Sequence, residues 1–114
     1  MKSTLVAAIV SAFLVTSASA QFIGPSHYED ITTVEQAQAA RRGQAVTLDG
    51  FVVEHLRGRY YLFRDATGEM RVKIGRLVWR DHRVTSRTPI RLTGQIDRDF
   101  REIYIDVDRV EVLG

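Results

Sequence analysis

The 114-residue sequence contains no cysteine. Disulfide stapling and thiol chemistry are both excluded, so the fold must rest on its apolar core alone. Long hydrophobic runs are nearly as scarce. The single one, Leu5 to Val15, is about half the ~20 residues that span a hydrocarbon core, and no later stretch is long and charge-free enough to serve as a stop-transfer segment. Lys2 precedes the run and Ala18-Ser19-Ala20 follows it, giving the basic, apolar and small-residue parts of a secretory signal. Cleavage is expected between Ala20 and Gln21, which makes the protein exported and not membrane-spanning.

Catalytic signatures are also missing. There is no nucleophile elbow, no glycine-rich phosphate loop and no serine-centred hydrolase motif. His27, His55 and His82 are scattered without ligand-like spacing, and no cysteine assists them. Asp97 with Asp99, and Asp106 with Asp108, are the closest carboxylate pairs, and neither has further ligands at a recognisable spacing. The expectation is a protein that is not an enzyme, with no catalytic residues, no cofactor and no metal.

What remains after the signal is 94 residues, which suits one domain with one core. Basic charge is almost all arginine, with two lysines in the whole chain, and it is concentrated centrally. Residues 41–91 hold twelve bases against five acids, whereas residues 21–40 and 92–114 are each net acidic. Such a segment suits anionic partners if its side chains share a face.

Residues 21–31 have no sustained period and read as an extended lead-in, with residues 32–114 as the folded domain. Thr32-Thr33-Val34-Glu35-Gln36-Ala37 has the form of a capped helix start, running to about Ala40 with Gly43 as its stop. The period then becomes two. Strands are expected from Ala45 to His55, with Gly50 marking a bend or bulge, and from Arg59 to Asp65. A third follows the turn Asp65 to Gly68 and places Met70, Val72 and Ile74 on one face. The stretch from Gly75 to Thr88 is a connector with room for one helical turn and with Trp79 as a lid over a barrel end. Pro89 opens a fourth strand, Asp97 to Arg101 turns back, and the fifth strand shifts its apolar phase between Val107 and Val110 through a bulge. Five strands in this order, with glycines inside the first and fourth, specify an all-β, five-stranded OB-fold barrel preceded by a short N-terminal helix.

The same residues resemble a known family. Phe22-Ile23-Gly24-Pro25, the Thr32 to Ala37 segment, Val46 to Val52, Tyr61 to Gly68, Trp79, Gly94-Gln95-Ile96-Asp97-Arg98-Asp99 and Ile105-Asp106-Val107 are similar in order and spacing to the bacterial OB-fold (BOF) proteins of the YgiW/YdeI type. The resemblance covers essentially the whole chain after the signal. It implies an OB barrel, periplasmic residence and a role in envelope stress tolerance through a small or charged ligand, and it supplies no catalytic residues.

OB folds take ligands across strands two and three, between the loop joining strands one and two and the loop joining strands four and five. The candidate ligand-binding residues are therefore Arg57, Arg59, Tyr61, Arg71 and Lys73, with Arg98 and Arg101 closing the groove from the last hairpin. Because Met70, Val72 and Ile74 face inward, Arg71 and Lys73 are expected to point out. An arginine and aromatic groove suits single-stranded nucleic acid, but export argues against that target. Phosphate or carboxylate groups of an envelope glycan, a lipid or another small anionic ligand fit the same chemistry. The alternative is a protein-interaction module that docks on an outer-membrane or periplasmic protein.

Overall fold

The computed structural model describes residues 30–80 and 82–114. The expected signal peptide and its Ala20/Gln21 cleavage point, His27 and the expected lead-in up to residue 29 lie outside the described residues. Among those described, no helix is long and apolar enough to cross a membrane.

The elements run α1 (Val34–Gln38), β1 (Ala45–Arg57), β2 (Tyr60–Asp65), β3 (Gly68–Lys73), α2 (Arg76–Trp79), β4 (Ile90–Arg98) and β5 (Ile103–Val112). The strands close into a barrel in the order β1-β2-β3-β5-β4. All pairings are antiparallel except β3 with β5, which closes the barrel through Val72 opposite Ile105 and Lys73 opposite Asp106. The alternation read from the sequence holds: Val46, Leu48, Phe63, Met70, Val72, Ile74, Ile90, Leu92, Ile96, Ile105, Val107 and Val110 form the buried core.

β1 serves two neighbours in succession. Ala45 to Gly50 pair with β4, and Phe51 to Arg57 pair with β2. Gly50 stands at the hand-over, where a Cβ would collide with the Arg64 carbonyl and the Phe63 ring. The glycine is thus required by close approach; the register shifts of β1 lie further on, between Val52 and Glu54 and between His55 and Arg57. Gly94 has the same role in β4, where a Cβ would meet the Asp106 carbonyl and the Val107 backbone. The expected bulge of β5 is present there: Gly94 faces Val107 and Thr93 faces Arg109, leaving Asp108 as the extra residue.

The connector holds the single helical turn expected of it, α2, whereas α1 is slightly shorter than expected. α1 ends at Gln38, and its start is fixed by Thr33, whose side chain accepts from the Gln36 N–H. Val34 and Ala37 point into the barrel end. Asp65, in the β2–β3 turn, accepts hydrogen bonds from the Val34 N–H at 2.9 Å, the Thr67 N–H at 2.7 Å and the Gly68 N–H at 3.2 Å. One carboxylate thereby ties the helix to the sheet. Burial opposes its charge, yet these donors hold its pKa below the ordinary aspartate value.

Candidate functional site

A groove of about 560 Å³ opens between the β1–β2 loop and the β4–β5 hairpin, within the size range of small-ligand sites. Its floor follows from strand register. Tyr60 pairs with Lys73 and Leu62 with Arg71, so these side chains alternate with the inward Phe63, Met70 and Val72 and lie on the outer face. The loop contributes Leu56, Arg57 and Arg59, and the hairpin contributes Asp99, Phe100 and Arg101. Five bases line the groove against one acid.

Arg71 organises the groove without being open to it. It leaves the barrel interior as expected, but the hairpin folds over it and leaves it only 8% exposed. Its Nη2 donates to Asp99 Oδ1 at 3.0 Å and to the Glu102 carbonyl at 3.1 Å, and its Nε lies 3.3 Å from Glu102 Oε2. The guanidinium also sits over the rings of Tyr60 and Tyr104, at 4.7 and 4.9 Å from their centroids. Burial disfavours its charge, but Asp99 and Glu102 more than offset that, and the net shift of its pKa is upward.

Asp99 is the other half of this lock. Its Oδ1 also accepts from the backbone N–H of Arg101 and Glu102, at 2.9 and 3.0 Å. The hydrogen bond from Arg71, followed by that from the Glu102 N–H, holds its carboxyl well below the usual range. Asp97 is committed as well, to Arg42 at 3.2 Å and to the Tyr104 hydroxyl, which donates to it at 3.3 Å. Burial, reinforced by the charge of Asp97, pushes the Tyr104 hydroxyl up to about 12.

All three acids of the hairpin region are therefore engaged by basic partners, although Glu102 stays exposed. The bases facing outward are not. Among the described residues, Arg57, Arg59, Lys73 and Arg101 take part in no ion pair.

Of the seven candidate residues, Arg57, Arg59, Arg71, Lys73 and Arg101 meet in this groove. Arg98 is exposed on β4 outside it, and its carbonyl accepts from Arg42. Tyr61 has the opposite parity to Tyr60 and turns to the barrel end, where it stacks on His55 at 4.6 Å and meets Trp79 edge-on at 5.4 Å. It packs against the core and does not line the groove.

Sequence reading missed Tyr60, Tyr104, Asp99, Glu102, Leu56 and Phe100. Parity along β2 was the available signal for Tyr60, since Tyr60 and Leu62 share the face of Arg71 once Phe63 is assigned inward. Nothing local indicated that the hairpin would fold back on Arg71.

His55 Nε2 lies 2.8 Å from the Gly58 carbonyl, which engages it in the β1–β2 loop, and His82 is exposed. Among the described residues no three His, Asp or Glu side chains gather as metal ligands would. A second hollow, about 850 Å³ and lined by Arg41, Arg42 and Thr47, lies beside Asp30, off the β2–β3 face.

A barrel of this topology with a helix leading into β1 can be compared directly with known families. The profile of the bacterial OB fold (BOF) proteins matches residues 14–112. The chain belongs to this family. It is 38% identical over 106 residues to the calcium-regulated OB-fold protein CarO of Pseudomonas aeruginosa, covering 93% of this chain and 91% of CarO. It is 31% identical over 120 residues to protein YgiW of Escherichia coli K12, covering 96% and 92%. The solved structure of E. coli YgiW superimposes with a TM-score of 0.70 at 34% identity, over 82% of this chain and 98% of that one. The Schizosaccharomyces pombe Stn1–Ten1 complex matches with a TM-score of 0.58 at 14% identity, over 76% and 79%, which reflects the fold alone. As a BOF protein the chain carries a barrel widely used for binding.

Proposed function

We propose that this BOF protein is a periplasmic, non-enzymatic binding module that holds an anionic envelope ligand in the groove across β2 and β3 and contributes to envelope stress tolerance. The observation that carries this reading is the division of charge at the groove. Arg71 pairs with the partly buried Asp99 and with Glu102, which is exposed but does not line the groove, while Arg57, Arg59, Lys73 and Arg101 line it without a described acid partner. Arginine forks suit phosphate and carboxylate groups, and a concave site bordered by low-dielectric walls concentrates their effect. The signal-like N-terminus and the match to BOF proteins support placement in the envelope.

The test is a titration with peptidoglycan fragments and with lipopolysaccharide. Arg59→Glu/Lys73→Glu is expected to lower affinity for the ligand that binds by at least about tenfold, since each lost contact to an ionised group contributes about 1.5–3 kcal/mol. Arg83→Glu/Arg87→Glu changes net charge equally on the exposed connector and should leave affinity nearly unchanged. Equal losses in the two double variants would refute the site assignment.

One observation favours a second reading, a protein-docking module. Leu77 on α2 is 81% exposed beside the partly exposed Val112, and both border a hollow of about 780 Å³. The charge division has no counterpart there, so the groove remains the leading site.

A further inference from the structure

We infer that the groove docks on an anionic phospholipid surface, with Phe100 and Leu56 entering the headgroup layer and the surrounding cations meeting phosphates. The inference rests on the groove reading and specifies how its anion is presented.

Phe100 occupies the tip of the β4–β5 hairpin and is 97% exposed. At that exposure it touches almost nothing of its own protein and stands at the rim of the groove. Leu56, 42% exposed, stands on the facing loop at the other border of the same groove. A single exposed apolar side chain needs no explanation. Here two of the five large apolar residues exposed among the described residues border one groove, and Arg57, Arg59, Lys73 and Arg101 line it with them.

The geometry of the hairpin makes this presentation possible. The segment Asp97 to Glu102 has three acids and two arginines and would repel an anionic surface if all its side chains faced out. Asp97 is turned to Arg42 and Tyr104, and Asp99 and Glu102 are turned to Arg71. The exposed side chains of the segment are then Arg98, Phe100, Arg101 and Glu102, with Glu102, paired to Arg71, the one acid among them. Apolar side chains inserted at headgroup depth and flanked by cations are the elements of interfacial binding to anionic lipid. A small phosphate in solution would use the cations and have no use for Phe100.

The experiment uses protein recovered from expression of the full chain, with wild type and variants sharing one N-terminus so that any contribution of that segment cancels. Sedimentation with phosphatidylcholine vesicles, with and without phosphatidylglycerol, measures docking. Amide shifts of Arg59 and Lys73 on addition of inorganic phosphate measure the groove separately.

The wild type should partition onto the phosphatidylglycerol vesicles only. Phe100→Ser should reduce partitioning by at least about tenfold and Arg101→Ser by about fivefold. Leu77→Ser, which removes a comparably exposed apolar residue elsewhere, should change nothing. Phe100 makes almost no internal contacts, so its replacement leaves the barrel folded. Wild-type protein that stays in the supernatant, or Phe100→Ser that partitions like wild type, overturns docking. If phosphate still moves the Arg59 and Lys73 amides, the groove reading survives that failure; if it does not, both fall.

Discussion

Arg71 shows how a residue can shape a groove while being almost wholly buried itself. Its guanidinium covers the edge-to-face pair of Tyr60 and Tyr104 while its charge pairs with the carboxylates of Asp99 and Glu102. Arg71→Ala is expected to lower stability by about 2–3 kcal/mol, from lost packing and two cation–π contacts, as read by urea unfolding. It should also weaken anion binding, because Asp99, which lines the groove, loses the cation that neutralises it. Arg71→Lys should recover only part of either effect, since a point charge does not span both acids. The pH dependence has a definite sign. Asp99 has a folded-state pKa below its unfolded value, so its contribution is complete above about pH 4. It is lost as the pH falls through the depressed folded-state value. Mild acidification to pH 5 should therefore leave the hairpin amides of Arg101 and Glu102 unshifted, whereas the unlocked Arg71→Ala protein should show them already displaced at neutral pH.

At the level of elements, alternation of apolar residues was enough to assign β3, β4 and β5 to their faces, and the phase change between Val107 and Val110 disclosed the bulge at Asp108. Length was less legible. β1 continues to Arg57 past two register shifts, and α1 stops at Gln38, although Ala40 beyond it still packs against the core beside Val34 and Ala37. The site was legible to a corresponding degree. Parity on β3 placed Arg71 and Lys73 outside the barrel, and the OB pattern placed Arg57, Arg59 and Arg101 at its border. The fate of Arg71 was not legible, because it depends on a contact 28 residues away in sequence. Charge counting along the hairpin could not separate acids committed to ion pairs from bases left without one. The two strand glycines give a prediction at this scale. Gly94→Ala would drive a Cβ into the backbone at Asp106 and Val107, which cannot swing aside as a side chain would. A loss of more than about 3 kcal/mol is expected, above the usual cost of overpacking. Gly43→Ala provides the contrast: it meets no neighbour within 4 Å and bears only the strain of its φ of +91°.

For the molecule as a whole, the barrel is a rigid frame that separates two tasks. Its interior is closed by apolar side chains and by Tyr61 and Trp79 at one end, and its β2–β3 face presents cations supplied by three different segments. The central arginine excess in the sequence is thus only partly convergent: Arg64 pairs with Glu69 and Arg91 with Asp49, while four other bases meet at the groove. Binding through such a patch should weaken as ionic strength rises, since the exposed charges are screened beyond about 8–10 Å. The central claim, that this groove is where the protein takes an anion, is tested most directly by mapping backbone amide shifts on addition of the lipopolysaccharide or peptidoglycan fragment that binds. The account predicts saturable shifts concentrated at Leu56 to Arg59, at Lys73 and at Phe100 and Arg101. Shifts centred instead on Leu77 to Arg80 and Asp108 to Val112, with those groove residues unmoved, would contradict it.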